Sequence, residues 1–230
     1  MKTKSILLVL FVVLELALLR LGFWQLARGR DKQEQLVQLA EVLNSRQGIA
    51  LADMDMTSRR SEWASGKVWF MHGPAFLLDN QRRGTEVGVL VYQPALLPGG
   101  SAILVELGWL PVSGDRQMPP TPTYDRDYKL EGLLLPPPSP GIALGKAAVK
   151  QADGRFLMTR VDMPALESII GGKLAARVLR PDPALEIGFT RDLTVQANTL
   201  TPEKHRGYAM QWFGLAAAFA VLCFGFWRRK

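Results

Sequence analysis

Cysteine is nearly absent: the 230 residues hold one, Cys223. That excludes an internal disulfide, a cysteine-built zinc site and an iron–sulfur cluster. Histidine is scarce too, and His72 and His205 are too few for a histidine metal cage. Charged residues make up 21% of the chain against 48% hydrophobic ones, a balance that excludes a disordered polar chain. There is no glycine-rich phosphate loop, no Gly-x-Ser-x-Gly elbow and no internal repeat. The chain is therefore expected to be no enzyme. A basic stripe of the kind that tracks phosphates is missing as well. The net charge is +7, but Lys2, Lys4, Arg228, Arg229 and Lys230 stand at the two ends and the rest of the chain nets only +2. No nucleic-acid partner is expected.

What the chain does have is a long apolar run near each end. Residues 5–23, SILLVLFVVLELALLRLGF, carry only Glu15 and Arg20 as charges, and Trp24 follows. As a helix at ~1.5 Å per residue the run covers ~28 Å, close to the hydrocarbon thickness of a bilayer. A cleaved signal peptide also starts basic and apolar. Against it stand the length of the run, the interruption by Glu15 and the lack of a small-x-small site before Trp24. Residues 208–227, YAMQWFGLAAAFAVLCFGFW, have no formal charge and aromatic rings at both ends, the belt expected at the two interfaces.

The terminal basic residues place both ends in the cytoplasm under the positive-inside rule, although Arg28, Arg30 and Lys32 pull the other way. No transit-peptide-like leader precedes the first run, since Lys2 opens almost directly into it. The expectation is a multi-pass protein of a bacterial inner membrane: cytoplasmic tail 1–4, first transmembrane helix 5–27, periplasmic domain 28–207, second transmembrane helix 208–227, cytoplasmic tail 228–230. A single cysteine placed inside a span suits a domain in an oxidising space.

Residues 30–43 keep a helical apolar period through Leu36, Val37, Leu39, Ala40 and Leu43, so the first helix is expected to continue into an amphipathic one. The pattern then changes to short apolar runs. Strands are expected at 67–70, 75–79, 87–96, 102–110, 128–135, 156–161, 185–189 and 193–197. Turn signals at 97–100, 113–115 and 152–154 separate them. One helix is expected at 163–174, opened by Asp162 and Pro164 and closed near Gly171-Gly172. Residues 136–140, PPPSP, read as a stiff extended loop. The fold class is a membrane protein whose two transmembrane helices flank an extracytoplasmic β-rich domain, an antiparallel barrel or sandwich of the α+β class.

Several polar residues are candidates for chemistry. Asp53/Asp55 and Asp125/Asp127 are acidic pairs in loop-like stretches that read as solvated charges. Arg82-Arg83 beside Gly84 offers either an anion site or a solvated turn. Cys223, inside the second span, is out of reach of a histidine beyond the membrane. Glu15 is an acid near the centre of a span, a functional candidate by default, with a tolerated neutral side chain as the alternative. Arg20, five residues on, is off its helical face.

His205 precedes Tyr208 by three residues and Trp212 by seven, which puts all three on one helical face at ~100° per residue. A histidine among aromatic rings at a membrane interface suits an axial haem ligand. It equally suits a histidine snorkelling at the headgroups within an ordinary aromatic belt. Trp24 and Gln25 lie at the same depth on the first span, so a pairing of the spans would bring them to the His205 turn.

Three stretches together resemble one family. They are LGFWQLAR at 21–28, FLLDNQRRGTEVGVLVYQPAL at 76–96 with ILVELGWLP at 103–111, and KHRGYAMQWFGLA at 204–216. They are similar to the surfeit-locus family of cytochrome c oxidase assembly factors, over nearly the whole chain. The family pattern has an arginine before Gly108 and an aromatic residue after Gly88. Here those positions are Leu107 and Val89.

The resemblance implies a two-span inner-membrane protein that assists maturation of the haem–copper oxidase core subunit. It implies the core subunit as partner, with the haem a synthesis machinery and membrane lipid beside it. It also implies haem a as a transient cofactor, held through its iron by His205, with Trp24, Gln25, Tyr208 and Trp212 around it. Arg28, Gly108, Trp109 and Gln211 match the remaining motif positions. The alternative function is a cofactor-free scaffold that stabilises an oxidase assembly intermediate by helix packing. Gly214, Ala216, Ala217, Ala218 and Ala220 would give it a surface of small residues.

Overall fold

The structure is a computed structural model. It describes residues 2–114, 117–122, 124, 126–139, 145–194 and 200–228, with side chains from residue 5 onward. The side chains of Lys2 and Lys4, together with Asp115, Asp125, Pro140, Arg229, Lys230 and residues 195–197 of the expected last strand, lie outside the described residues. The chain divides into two compact units, Met1–Gln38 with Ala197–Lys230, and Leu39–Gln196.

The first unit is a pair of helices. Helix α1, Lys2–Ser45, runs unbroken from the apolar stretch into the amphipathic one, as the period in 30–43 predicts. It contains no proline, and at its end Arg46 takes a positive φ of 47° while its N–H bonds the Val42 carbonyl at 3.0 Å. Both α1 and α3, Pro202–Arg228, are long and apolar enough to cross a membrane.

The two helices meet along a narrow seam. Phe11 meets Phe219 at a tilt with ring centroids 5.3 Å apart, Phe23 meets Phe213 edge-on at 5.2 Å, and Gln25 meets His205. Among the residues withdrawn from the surface, one row recurs at alternating steps of three and four: Phe11, Glu15, Leu18, Gly22, Gln25 and Gly29 on α1, and Pro202, His205, Ala209, Trp212, Ala216 and Phe219 on α3. That is the seam period of a coiled coil, here run antiparallel. Small residues allow the close approach. A Cβ added at Gly22 would lie 2.5 Å from the Phe213 ring, and one at Gly29 would lie 3.3 Å from the Cβ of His205.

The second unit is built on one mixed nine-stranded sheet. Its strands are β1 (Gly48–Ala50), β2 (Glu62–Phe70), β3 (Phe76–Arg83), β4 (Glu86–Leu96), β5 (Ala102–Pro111), β6 (Asp127–Leu135), β7 (Ala148–Lys150), β8 (Phe156–Met158) and β9 (Leu174–Pro181). Helix α2, Met163–Ile170, lies between β8 and β9. The order is β1-β2-β6-β9-β5-β4-β3-β8-β7. An additional pairing of Trp69 and Phe70 with Leu96 and Ala95 makes β2, β6, β9, β5 and β4 a closed circuit of hydrogen-bonded neighbours.

The expected strands at 67–70, 87–96, 102–110 and 128–135 fall within β2, β4, β5 and β6, and the one at 75–79 falls in β3 from Phe76 on. Three expectations are corrected, and one strand was not expected. The sheet is not wholly antiparallel, because β1–β2, β3–β8 and β5–β9 pair in parallel. The run 156–161 is a strand only to Met158. Residues 185–189 form no strand, and Thr190 contributes a single bridge to Trp109. Strand β9 occupies 174–181 instead. It lies between β5 and β6, its burial does not alternate, and Arg177 and Arg180 break its apolar run, so the period-two signal is lost.

Successive residues of the central strands serve two different cores. On β5, Ile103, Val105 and Leu107 join one apolar cluster with Val89, Val91 and Leu179, while Ala102 and Leu104 join another with Phe76, Leu133 and Val178. Both faces of the sheet are covered, which is why these segments read as continuous apolar runs. Helix α2 starts where Asp162 accepts a hydrogen bond from Ala165 N–H at 3.2 Å. It stops at Gly171, whose φ is 70°.

Candidate functional site

The polar side chains that meet inside the helix pair are Gln25 and His205. Imidazole Nδ1 lies 2.7 Å from the Gln25 amide oxygen, and both side chains are partly buried. An amide oxygen only accepts, so Nδ1 carries the proton and donates. In the neutral imidazole Nε2 then keeps its lone pair, and among the described residues it has no hydrogen bond. An imidazole held by Nδ1–H with a bare Nε2 is the arrangement that metal-binding histidines use, the partner fixing both ring orientation and tautomer. Gly29 allows this by leaving the space beside His205 free of a side chain. The donor chemistry therefore fits an axial haem ligand.

The other candidate residues surround this pair unequally. Trp212 is half-buried on the same seam as His205, two turns along α3. Tyr208 stands on the flank of the seam and is 41% exposed. Trp24 is 50% exposed, with the Arg28 guanidinium 5.9 Å above its ring. The structure thus joins Gln25 to His205 directly and leaves Trp24 and Tyr208 as open aromatic surface beside them. Gln211 is exposed. Glu15 lies on the seam, and its Oε2 is buried without a hydrogen-bond partner. Arg20 is exposed and does not reach it. Cys223 is half-buried on α3.

In the sheet unit the described members of the two acidic pairs lie at the surface, as solvated charges do. Asp55 accepts from the N–H and the hydroxyl of Thr57, each at 2.8 Å, and these bonds hold its carboxyl below the usual range. It caps a turn, while Asp53 is exposed. Asp125 lies outside the described residues, and Asp127 sits in register with Trp69 on an exposed face. Arg83 pairs with Asp192 at 2.7 Å, so Arg82-Arg83 belongs to an ordinary turn region. Among the described residues no three metal-ligating side chains cluster.

The motif Gly108-Trp109 also has a packing reason. Gly108 has φ of 123°, and a Cβ there would lie 2.7 Å from the Phe189 carbonyl oxygen. Only glycine takes that conformation without strain. Trp109 donates through Nε1 to the Gln81 carbonyl at 2.9 Å, and its ring lies so close over Gly88 that an added Cβ would sit 2.5 Å away. Leu107 and Val89, the two departures from the family pattern, are buried in the apolar core.

Sequence reasoning missed a buried polar cluster in this unit. Tyr92 donates to Glu106 Oε2 at 2.8 Å, and Arg180 Nε lies 2.7 Å from Glu106 Oε1, all three buried. Burial, then the Glu106 charge, pushes the Tyr92 hydroxyl well above its usual range. For Arg180 burial pulls downward, but the Glu106 carboxylate prevails and its pKa is raised. A second guanidinium, Arg177, is fully buried and bonds Glu62 and the carbonyls of Arg60 and Asp55. The available signal was a charge inside an otherwise apolar run: Glu106 in ILVELGWL, and Arg177 and Arg180 in LAARVLRP.

Two comparisons bear on these features. The sequence model of the SURF1 family matches residues 12–217. A curated relative, the SURF1-like protein of Rickettsia bellii (strain RML369-C), is 24% identical over 225 residues, covering 96% of this chain and 89% of the relative. The chain belongs to the SURF1 family.

Proposed function

We propose that this SURF1-family protein is a non-enzymatic, membrane-anchored assembly factor for cytochrome c oxidase that holds haem a on its way to the core subunit, with His205 as the axial ligand. The observation that carries the reading is the 2.7 Å bond from His205 Nδ1 to Gln25, which leaves Nε2 available. Haem iron, when bound, supplies the Lewis-acid centre that an imidazole nitrogen coordinates. Gln25 keeps the imidazole in the tautomer that can coordinate and fixes its plane. Trp24, Tyr208 and Trp212 offer ring surface around it. A single protein ligand on half-exposed helices suits a carrier that must release its cargo. The family's link to oxidase assembly supports the same reading.

Membrane anchoring is supported by where the apolar surface lies. Gly22, Gly29, Ala209 and Ala216 lie buried in the seam, whereas Ile6, Val9, Leu10, Val13, Val221 and Leu222 point outward and are each more than half exposed. Large apolar side chains turned outward, around close contacts at a few small residues, are the pattern of helices solvated by lipid. The basic ends then favour a bacterial inner membrane with both termini cytoplasmic and the sheet unit periplasmic.

One observation favours the scaffold reading. Ala216 is buried in the seam, but Gly214, Ala217 and Ala218 face outward and are exposed, open to a further helix. The test is a visible spectrum of the detergent-purified protein, co-produced with haem a synthesis, beside His205→Ala. A haem band lost in the variant is the expected result. Absence of a band in both, with haem a present in the cells, overturns the carrier. Loss of function on Gly214→Leu or Ala218→Leu, but not on His205→Ala, would then identify the scaffold.

A further inference from the structure

The seam divides the helix pair into two sides. Phe23 and Phe213 each follow a seam residue by one position, and their 5.2 Å contact marks one side. Arg206 follows His205 and belongs to that side, with the acid Glu203. Trp24, Arg28, Lys204 and Tyr208 each precede a seam residue by one position: Gln25, Gly29, His205 and Ala209. In antiparallel helices, residues turned in the same sense from the seam fall on the same side, so these four share the opposite flank. The Arg28 guanidinium over the Trp24 ring is the contact that agrees.

Along this flank the chemistry is graded. Arg28 on α1 and Lys204 on α3 stand at the polar end of the pair, beyond the Gln25–His205 level. Trp24 and Tyr208, both about half-exposed, stand toward its apolar end. Among the described residues neither Arg28 nor Lys204 forms an ion pair. Asp31 is the acid on the same flank.

We infer that this flank is the seat of the macrocycle, with Arg28 and Lys204 pairing its two carboxylate side chains while Trp24 and Tyr208 lie along its apolar body. The inference rests on the haem reading above and adds to it a side, an orientation and two cationic partners. A planar ligand that is apolar at one edge and carries two carboxylates at the other matches a flank with rings at one end and cations at the other. Arg28 offers a bidentate fork to a carboxylate and Lys204 a point charge.

The test is a titration of the full-length protein in detergent with hemin and, separately, with its dimethyl ester, followed by visible absorption. Charge-assisted hydrogen bonds of this kind lead us to expect that Arg28→Gln and Lys204→Gln each weaken hemin binding about tenfold, and together about a hundredfold. The ester, having no carboxylates, should bind the wild type and the double variant alike, which also shows that the double variant retains its site. Arg206→Gln, on the other side, should bind hemin as the wild type does. Hemin binding by the double variant within about twofold of wild type overturns the inference, as does an equal loss in Arg206→Gln. If the double variant loses only association with anionic phospholipid vesicles, the cations serve lipid phosphates and the inference falls. In both cases the haem reading survives if His205→Ala still abolishes the band. A wild type with no His205-dependent band removes the haem reading itself.

Discussion

Replacing Gln25 by leucine isolates the contribution of one hydrogen bond to the site. The wild-type amide oxygen lies 2.7 Å from His205 Nδ1, and leucine keeps the volume but removes the acceptor. A net hydrogen bond of this kind contributes about 1 kcal/mol, roughly a fivefold factor in an equilibrium. Losing the partner of a metal-binding imidazole also frees the ring to rotate and to move its proton to Nε2, and such losses typically cost ~10–100-fold in metal affinity. Hemin affinity of Q25L should therefore fall ~10–100-fold, while His205→Ala falls further. Q25E should bind at least as well as the wild type, because a carboxylate accepts from Nδ1–H more strongly than an amide. The assay is equilibrium titration of detergent-purified full-length protein, read from the visible band. Q25L binding within about twofold of wild type would falsify the idea that this contact prepares the imidazole. A Q25E that binds as poorly as Q25L would show that acceptor chemistry is not what matters.

Three further outcomes follow from the sheet unit. Gly108→Ala forces a Cβ to within 2.7 Å of the Phe189 carbonyl oxygen at φ of 123°. A backbone conflict of that kind costs on the order of 1–3 kcal/mol or more, and a drop in the denaturant midpoint measures it. Arg180→Met strands the buried Glu106 carboxylate and should destabilise by about 3–5 kcal/mol, whereas adding Glu106→Leu should recover much of the loss in the same unfolding assay. The third concerns alkaline pH. Tyr92 keeps its proton in the folded state above the pH at which an unfolded tyrosine ionises, so the folded state binds more protons there. Stability is fully present below about pH 10 and declines as pH rises beyond it. Tyr92→Phe should flatten that decline, and a slope unchanged by the substitution would contradict it.

Much of the architecture is legible in the sequence because it depends on composition and period. The apolar runs at 5–23 and 208–227 can only be long helices, and the absence of proline lets the first continue to Ser45. The hairpin β3–β4, the Gly99-Gly100 turn and the capped start of α2 follow from local chemistry: Gly84 with φ of 61°, Gly99 and Gly100 with φ of 97° and 85°, and Asp162 as the cap. His205 and Gln25 stand out one by one as polar side chains at the rim of apolar helices. Strand β9 did not stand out. A strand with neighbours on both edges and cover on both faces loses the alternation that marks a strand, and its two arginines suggest solvent where there is none.

The tertiary structure decided what no local pattern carries. The step of three and four along α1 becomes a seam only because α3 supplies a matching one, and the partner of Gln25 lies 180 residues away in the chain. The parallel pairing of β5 with β9 and the burial of Arg180 against Glu106 likewise join distant segments. Sequence alone determined the long helices, the strands β2 to β6 in outline and the few polar residues that their apolar surroundings made conspicuous. Register, sidedness and pairing came from long-range packing, because a contact is a relation between two segments and each segment encodes only its own half of it.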